Sequence, residues 1–270
     1  MGYANILVAL DLSEDAPDRV SLAAGLARRF EAILTGAAAQ TVPVPILVRD
    51  LCEAADDVEQ NATRVRGILQ RARDVFEHSA GSELRTIWHA GFADPLTHLV
   101  EQASTADLVV VSRQGPDDPD PGPLGVSPGP VLMQAGRPVL IVPPRIVHLK
   151  AARIVLAWKD GPEARRAMSA ALPFFRAADQ VLVATRGEDV RVGNAEDLAV
   201  HLARHGVSAT AHHLHAAGSD ADAIMRFALE QDADLVVMGA YGHSRLREWI
   251  FGGVTRDVLD RAPICSLMCH

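Results

Sequence analysis

Short apolar runs alternate with amphipathic stretches along all 270 residues of the chain. Runs of about four to six residues rich in Val, Ile and Leu are typical of strands buried in a parallel sheet. The pattern predicts clear strands at 5–10, 108–111, 138–142, 153–158, 180–184, 235–238 and 264–268. A weaker pattern, diluted by Ala, His and Thr, predicts further strands at 33–38, 84–89 and 208–214.

Helical periodicity fills the segments between these strands. Residues 15–30 place apolar side chains on one stripe, and Asp94 and Ser219 are N-cap residues of two further predicted helices. Asp160 stands before Gly-Pro and is expected to cap another helix, which Pro173 should bend or shorten. Strands that alternate with helices predict a doubly wound, mainly parallel α/β sheet, whose ligands bind beyond the carboxyl ends of the strands.

The chain repeats itself. The segment DLVVVSRQG at 107–115 recurs as DLVVMGAYG at 234–242, an offset of 127 residues. Upstream, the strand that begins at Ile6 recurs at Ile154, an offset of 148 residues. A fixed self-similarity of this kind indicates two copies of one structural unit.

The two offsets differ by 21 residues, which predicts an insertion in the first copy within about 43–80. We therefore predict tandem domains at 1–146 and 150–270. Each copy ends on an apolar strand, 138–142 or 264–268, and an unpaired edge of that kind favours pairing. We expect these two strands to face each other in an internal pseudo-dimer; association of two chains into a homodimer is left open.

Composition narrows the class of partner. The chain is 49% apolar and 22% charged with a net charge of −8, which is typical of a folded globular protein and argues against nucleic acid as a partner. Residues 1–148 carry a net −7 and residues 149–270 only −1. Three cysteines without a CxxC pair, and no apolar run of about 18 residues, predict a cytoplasmic protein without membrane contact.

The second copy contains a glycine-rich loop that suits an anion. Gly239 and Gly242 follow a buried strand, and after nine residues Gly252 and Gly253 precede a helical stretch. Glycines let the backbone approach a ligand, and the free N–H groups of a helix start attract phosphate; the hydroxyl of Thr255 adds a donor. The alternative is that these glycines simply end a strand and begin a helix. No P-loop or GxGxxG sequence is present.

The spacing Gly-x2-Gly-x9-Gly, preceded by DLVVM and followed by GVT and a terminal strand, resembles the universal stress protein family over nearly the whole chain. The resemblance implies a five-stranded parallel sheet between helices in each domain. It also implies an adenine nucleotide at the loop, ATP or a relative with Mg²⁺ as counter-ion, and no strong catalytic activity. The candidate nucleotide contacts are Met238, Gly239, Gly242, Gly252, Gly253, Val254, Thr255 and Asp160.

Two positions depart from the family pattern. Gly253 stands where the family has Ser or Thr, so a hydroxyl donor worth about 0.5–1.5 kcal/mol is lost while the backbone N–H remains. Lys159 stands where the family has the Asp that reaches the base or ribose, with Asp160 one residue later. Lys159 either pairs with phosphate or is a surface residue, and Asp160 either contacts the nucleotide or caps the helix.

The first copy departs in the opposite sense. Asp11 is at the family position, but the loop Ser112-x2-Gly115-x9-Gly125 is filled with prolines and three aspartates. Prolines remove backbone donors, and carboxylates repel a phosphate. We therefore expect a degenerate first site that binds no phosphate.

Other candidate chemistry is weaker. Ser127 lies in a GxSxG sequence, but a nucleophile elbow needs a strand directly before it, and an acidic proline loop stands there instead. His212, His213 and His215 would begin a zinc site only with further ligands, so exposed strand histidines are the favoured interpretation. Trp158 offers a ring that would stack on a base, or it is ordinary packing.

The loop supplies phosphate donors without a base, nucleophile or metal cluster, which favours a nucleotide-binding stress-response sensor or interaction module. Two alternatives stay open. One is a nucleotide-free interaction protein with both sites degenerate, and the other is a slow nucleotide hydrolase.

Overall fold

The computed structural model describes residues 2–44, 51–186, 194–215, 218–242 and 253–270. The first half contains strands β1 (Asn5–Ala9), β2 (Ile33–Ala39), β3 (Thr86–Gly91), β4 (Leu108–Ser112) and β5 (Val139–Val142). Its helices are α1 (Ala16–Phe30), α2 (Leu51–Ala80), α3 (Pro95–Ala103) and α4 (Pro128–Gln134), with a short 3₁₀ turn at Gly122–Leu124.

The second half repeats this alternation. Its strands are β6 (Arg153–Ala157), β7 (Gln180–Arg186), β8 (Ala209–Leu214), β9 (Leu235–Gly239) and β10 (Cys265–Cys269). Its helices are α5 (Pro162–Ala170), α6 (Leu172–Ala177), α7 (Asn194–Arg204), α8 (Asp220–Glu230) and α9 (Val254–Arg261). Every predicted strand is present, with its ends within about two residues of the prediction, an ordinary error for element boundaries.

The strands of the described residues form a single sheet in the order β3-β2-β1-β4-β5-β10-β9-β6-β7-β8. Within each half the five strands are parallel. Successive residues of β1 enter opposite core layers, Ile6 and Val8 on one face and Leu7 on the other, as the period of two along a strand requires. The fold is therefore two tandem doubly wound α/β domains with helices on both faces of the sheet.

The two halves meet through their last strands. β10 pairs antiparallel with β5, with Ser266 opposite Ile141, Leu267 opposite Leu140 and Met268 opposite Val139. The expected pairing of the terminal strands is confirmed. Because each terminal strand covers the other, neither apolar edge is left open to solvent.

Local sequence signals explain where several helices begin and end. The Asp94 side chain accepts a hydrogen bond from the Thr97 N–H at 2.9 Å, and Ser219 accepts one from the Asp222 N–H at 3.1 Å, so both predicted caps are confirmed. Pro173 follows the break between α5 and α6, as expected for a residue that cannot continue a helix. No helix of the described segments is long and apolar enough to cross a bilayer.

The two halves differ most in the helix between their second and third strands. α2 has 30 residues, whereas α7 in the second half has 11. The extra turns bury Val65, Leu69 and Phe76 against the sheet. α2 lies within the segment 43–80, where the insertion is predicted; that insertion and the domain boundaries 1–146 and 150–270 stay predictions.

The reactivity of two buried thiols tests the strand pairing at the centre of the sheet. Burial raises the pKa of both Cys265 and Cys269 on β10 to about 12. The thiolate is the reactive form, so we expect both to resist iodoacetamide at about pH 8 in the native protein and to react once it is unfolded. Intact-mass spectrometry of a Cys52→Ser variant measures this, with the same protein in guanidinium chloride as control. Equal labelling rates in the native protein and in guanidinium chloride would contradict the burial of β10 between β5 and β9.

Candidate functional site

A cavity of about 340 Å³ lies at the carboxyl ends of β6, β7 and β9. The chain places β7 on one side of β6 and β9 on the other, so the cavity is at the point where strand order reverses, as expected for this class of sheet. Its volume is in the range of small-molecule sites. Its apolar wall consists of Ala157, Trp158, Ala184, Ile224, Met238 and Val254.

Most of the predicted contact residues meet at this cavity. The residues that line it are Met238, Gly239, Gly242, Val254, Thr255 and Asp160. Gly253 is the N-cap residue of α9 and is not among the lining residues. Gly252 lies outside the described residues.

Gly239 has a structural reason to be glycine. A Cβ at this position would lie 2.7 Å from the backbone nitrogen of Ala164 and 2.7 Å from Cγ of Glu163. The first turn of α5 therefore packs directly on the backbone where β9 ends. Close helix approach, in addition to any ligand, requires this glycine.

The start of α9 forms the polar end of the cavity. The helix begins at Val254, directly after Gly253. Thr255 is buried, and its Oγ1 accepts a hydrogen bond from the Tyr241 N–H at 3.2 Å. This bond ties the glycine loop to the first turn of α9, and the hydroxyl still has its own proton to donate.

Asp160 does not cap α5, so that interpretation is wrong. The N-cap residue is Gly161, which has no side chain to offer. Instead the Asp160 carboxylate accepts two hydrogen bonds from the Arg165 guanidinium, at 2.9 and 2.7 Å. Because α5 begins at Pro162, Asp160 lies one residue before the capping position, and the planar guanidinium binds its carboxylate in two places.

The other charged groups of the cavity divide into a pair and two unpaired residues. Arg186 lies 2.9 Å from Asp220. Lys159 and Glu163 line the same cavity, and neither has an ion-pair partner within the part of the chain that the structure describes. Among the described residues, the cavity thus offers one unpaired cation and one unpaired anion to a ligand.

Trp158 carries a buried donor without a partner in the described structure. The side chain is 7% exposed, and its indole N–H has no hydrogen-bond partner among the described residues. Its backbone N–H is satisfied by the Ala184 carbonyl at 2.8 Å. A buried donor without a partner is costly, so the indole N–H lowers the stability of this part of the core.

The equivalent place in the first half is closed. The cavity there holds only about 10 Å³. Asp11, at the family position, forms a buried ion pair with Arg19 at 2.7 Å, and its other oxygen accepts hydrogen bonds from the N–H and hydroxyl of Ser13. The carboxylate is therefore fully engaged by the protein itself.

The proline-rich loop of the first half contacts the second half instead. Arg113 pairs with Asp118, donating from Nε to Oδ2 at 2.8 Å, and donates from Nη1 to the Ala262 carbonyl at 2.7 Å. Ala262 is the C-cap residue of α9, so a guanidinium satisfies a free carbonyl at the end of that helix. The acidic loop thus contacts α9 at its C-terminal end, away from the cavity.

His213 of β8 contacts neighbouring polar side chains. His213 contacts the Thr185 hydroxyl at 2.9 Å and the Glu196 carboxylate at 3.2 Å. Burial, together with His213, holds the pKa of His212 below its usual value. His215 lies just beyond the strand and is exposed. Over the described ranges, no three or more His, Cys, Asp or Glu side chains come together as metal ligands.

Ser127 is not in a nucleophile elbow. It is the N-cap residue of α4, and the chain before it is a loop after a 3₁₀ turn rather than a strand. Its hydroxyl donates to Oε1 of Gln114 at 3.0 Å.

Sequence reasoning missed several lining residues, namely Glu163, Arg186, Asp220, Ile224 and Tyr241. Arg186 ends β7, so the rule that ligands bind at strand ends would have found it. The others come from helix starts and a loop, whose side chains reach the cavity only after packing.

The family model described as "Universal stress protein family" matches residues 2–143 and 186–270. A universal stress protein from Archaeoglobus fulgidus DSM 4304 is similar in structure, with a TM-score of 0.68, 16% identity, and coverage of 99% of this chain and 96% of that one. A functionally unknown protein from Pseudomonas aeruginosa PAO1 has a TM-score of 0.57 and 18% identity, covering 98% and 92%.

A shorter universal stress protein from Archaeoglobus fulgidus, solved in complex with dAMP, covers 52% of this chain and 98% of that one, with 18% identity and a TM-score of 0.35. No curated protein matches the chain.

Replacing Gly239 by Ala should destabilise the protein by about 1–3 kcal/mol, because the new methyl group meets the α5 backbone. The matched control is Ser112→Ala at the equivalent end of β4, which should stay within about 0.5 kcal/mol. Guanidinium unfolding curves measure both. Equal midpoints for the two variants would contradict the close approach of α5.

The Arg113–Asp118 pair should give a pH-dependent contribution to the free energy of unfolding. Hydrogen bonds from Arg113, opposed by burial and helped by the Gly115 N–H, hold the pKa of Asp118 below its usual value. A depressed pKa means that the stabilisation is present above the unfolded pKa of about 4 and is lost as the pH falls through the lower folded value.

Asp118→Asn should therefore lower the melting temperature at neutral pH, and its difference from wild type should shrink below about pH 4. Calorimetry across pH measures this, and Asp117→Asn, which removes an exposed charge from the same loop, is the control. A pH-independent difference would show that the pair is not the cause.

Proposed function

Because the chain belongs to the universal stress protein family, we propose that its second half binds an adenine nucleotide and that the protein acts as a stress-response sensor or interaction module. The observation that carries this proposal is the contrast between the two halves. The second half has a cavity of about 340 Å³ at its strand ends, and the first has about 10 Å³. At the carboxyl ends of the strands, therefore, only the second half has room for a small ligand.

The lining residues fit the parts of an adenine nucleotide. The base would lie on the apolar wall of Trp158, Ile224 and Met238. The phosphate would lie at the glycine loop and the first turn of α9, near Thr255. Lys159, which lines the cavity and has no ion-pair partner among the described residues, would attract the phosphates. Mg²⁺ would bind together with the phosphates of ATP.

No described residue of this cavity activates a nucleophile, so we propose binding rather than turnover, with at most weak ATP hydrolysis. A nucleotide-free interaction protein and a slow hydrolase are the competing functions, and the experiment below separates them. A cytoplasmic location, the domain boundary before residue 150 and association into a homodimer stay predictions.

Freshly purified protein should release an adenine nucleotide on denaturation, and millimolar ATP with Mg²⁺ should raise its melting temperature by several degrees. Ligand at about 100 times its Kd adds about 2.7 kcal/mol, or roughly 2–4 °C per kcal/mol in a chain of this size. Lys159→Glu should weaken binding severalfold, because it replaces the unpaired cation by an anion. Chromatography of the released ligand and thermal shift assays measure these outcomes.

The chain supplies a matched control, since Lys150 is its only other lysine. Lys150→Glu makes the same charge change outside the cavity and should bind like wild type. No released nucleotide and no thermal shift would favour the nucleotide-free alternative. Steady ADP production that disappears in Lys159→Glu would favour the hydrolase.

A further inference from the structure

The outer surface of α2 carries an ordered pattern of charge. Six exposed residues, spaced by three and four positions, lie on one stripe of this helix. From the N-terminal end the α2 stripe consists of Asp56, Glu59, Thr63, Arg66, Gln70 and Arg73. Two acids are therefore followed by two arginines over about 26 Å, since a helix rises about 1.5 Å per residue.

The acidic end of the α2 stripe is not neutralised by the part of the chain that the structure describes. Neither Asp56 nor Glu59 forms an ion pair there. Residues 45–55, which precede this end in the sequence, carry a net charge of −1. Their summed charge therefore adds to the acidic end instead of cancelling it.

The basic end borders a groove between α2 and the edge strand β3. The groove has a volume of about 450 Å³, and the residues that line it include Leu69, Trp88, Phe92, Arg66 and Arg73. Arg73 binds Glu77 at 2.7 Å. Arg66 has no carboxylate partner among the described residues, and its guanidinium lies 5.5 Å from the centroid of the half-exposed Phe92 ring. Arg66 thus offers a positive charge beside an exposed apolar surface.

Gly67 lies beside the middle of the stripe, where nothing in the described structure requires a glycine. A Cβ at this position would meet no neighbouring atom within 4 Å outside the helix's own backbone. Glycine inside a helix costs about 0.5–1 kcal/mol relative to alanine. Thr63, one turn earlier, is also short. Two short residues on the outer surface of a long helix allow a second helix to approach closely.

We propose that the α2 stripe is the contact surface for a second copy of this chain, with the two α2 helices antiparallel and Thr63 at the two-fold axis. This arrangement places Glu59 of one copy beside Arg66 of the other, and the two-fold axis repeats the pair. Parallel helices would instead place Glu59 against Glu59 and Arg66 against Arg66, which is repulsive. The inference does not depend on what the cavity of the second half binds.

The second helix would also cover the groove beside β3. β3 is an outer strand of the described sheet, and Phe92, directly beyond its end, is 50% exposed. An open strand edge with exposed apolar surface favours association. Because the α2 stripe itself is mostly charged, we expect a dimer of micromolar affinity that salt weakens.

The test is analytical ultracentrifugation of the full chain between about 1 and 100 µM, at about 50 and 500 mM NaCl. Wild type should form a dimer whose Kd rises severalfold at the higher salt concentration. Arg66→Glu and Glu59→Arg each place like charges together twice per dimer, so each variant alone should dimerise about tenfold more weakly or worse. An equal mixture of the two variants should form a heterodimer, because every glutamate then lies beside an arginine.

Arg64→Glu and Asp57→Arg are the matched controls. Both residues are exposed charges of α2, but they lie about 100° further round the helix than the stripe residues that precede them. The controls make the same charge changes away from the contact and should dimerise like wild type.

Gly67→Leu tests the close approach of the two helices. The new side chain meets open space within one copy, so the melting temperature at about 1 µM, where the monomer dominates, should not fall. It would meet the other helix in the dimer, so dimerisation should weaken about tenfold or more.

Each of four results would overturn the inference. Wild type that stays monomeric up to about 100 µM would exclude a second copy as the occupant of this surface. A dimer that persists in Arg66→Glu alone would place the contact elsewhere. Controls that weaken the dimer as much as Arg66→Glu would show that overall charge governs association. Failure of the mixed variants to associate would exclude the antiparallel pairing.

Discussion

The antiparallel pairing of β5 with β10 is the interaction on which the rest of the structure depends. Three pairs of residues, centred on Leu140 and Leu267, join two parallel sheets into one. Each strand alone would be an apolar edge, and pairing satisfies its backbone groups. Each of the two core layers contains residues of both halves, so the junction holds the halves together. The loop after β4 therefore contacts the C-terminal end of α9.

That fixed relation gives the first half a part in the second half's site. The loop that lost its own cavity lies against the end of α9, where Arg113, held by Asp118, donates to the Ala262 carbonyl. The opposite end of the same helix begins at the cavity with Val254. A short helix held at its C-terminus presents its N-terminal N–H groups in a constant direction. The acidic loop therefore has a structural role that its charge alone does not reveal.

Sequence reasoning recovers the fold because parallel strands buried on both faces leave apolar runs, and because the repeat doubles each signal. It locates the glycine loop for the same reason. Glu163 has no such signal, since its place depends on Gly161, Gly239 and Gly242 coming together from separate segments. The cap expected of Asp160 is wrong because α5 begins one residue later than that prediction requires, with Gly161 as its N-cap residue, and the Asp160 carboxylate binds Arg165 instead.

The difference between the halves comes down to where a carboxylate is placed and what neutralises it. In the first half Asp11 ends the strand and Arg19 buries its charge, so the acid stabilises the fold and the space around it closes. In the second half, 148 residues later, these positions are Lys159 and Ala167, and neither partner of the buried pair remains. The cavity stays open, and its unpaired acid now comes from α5.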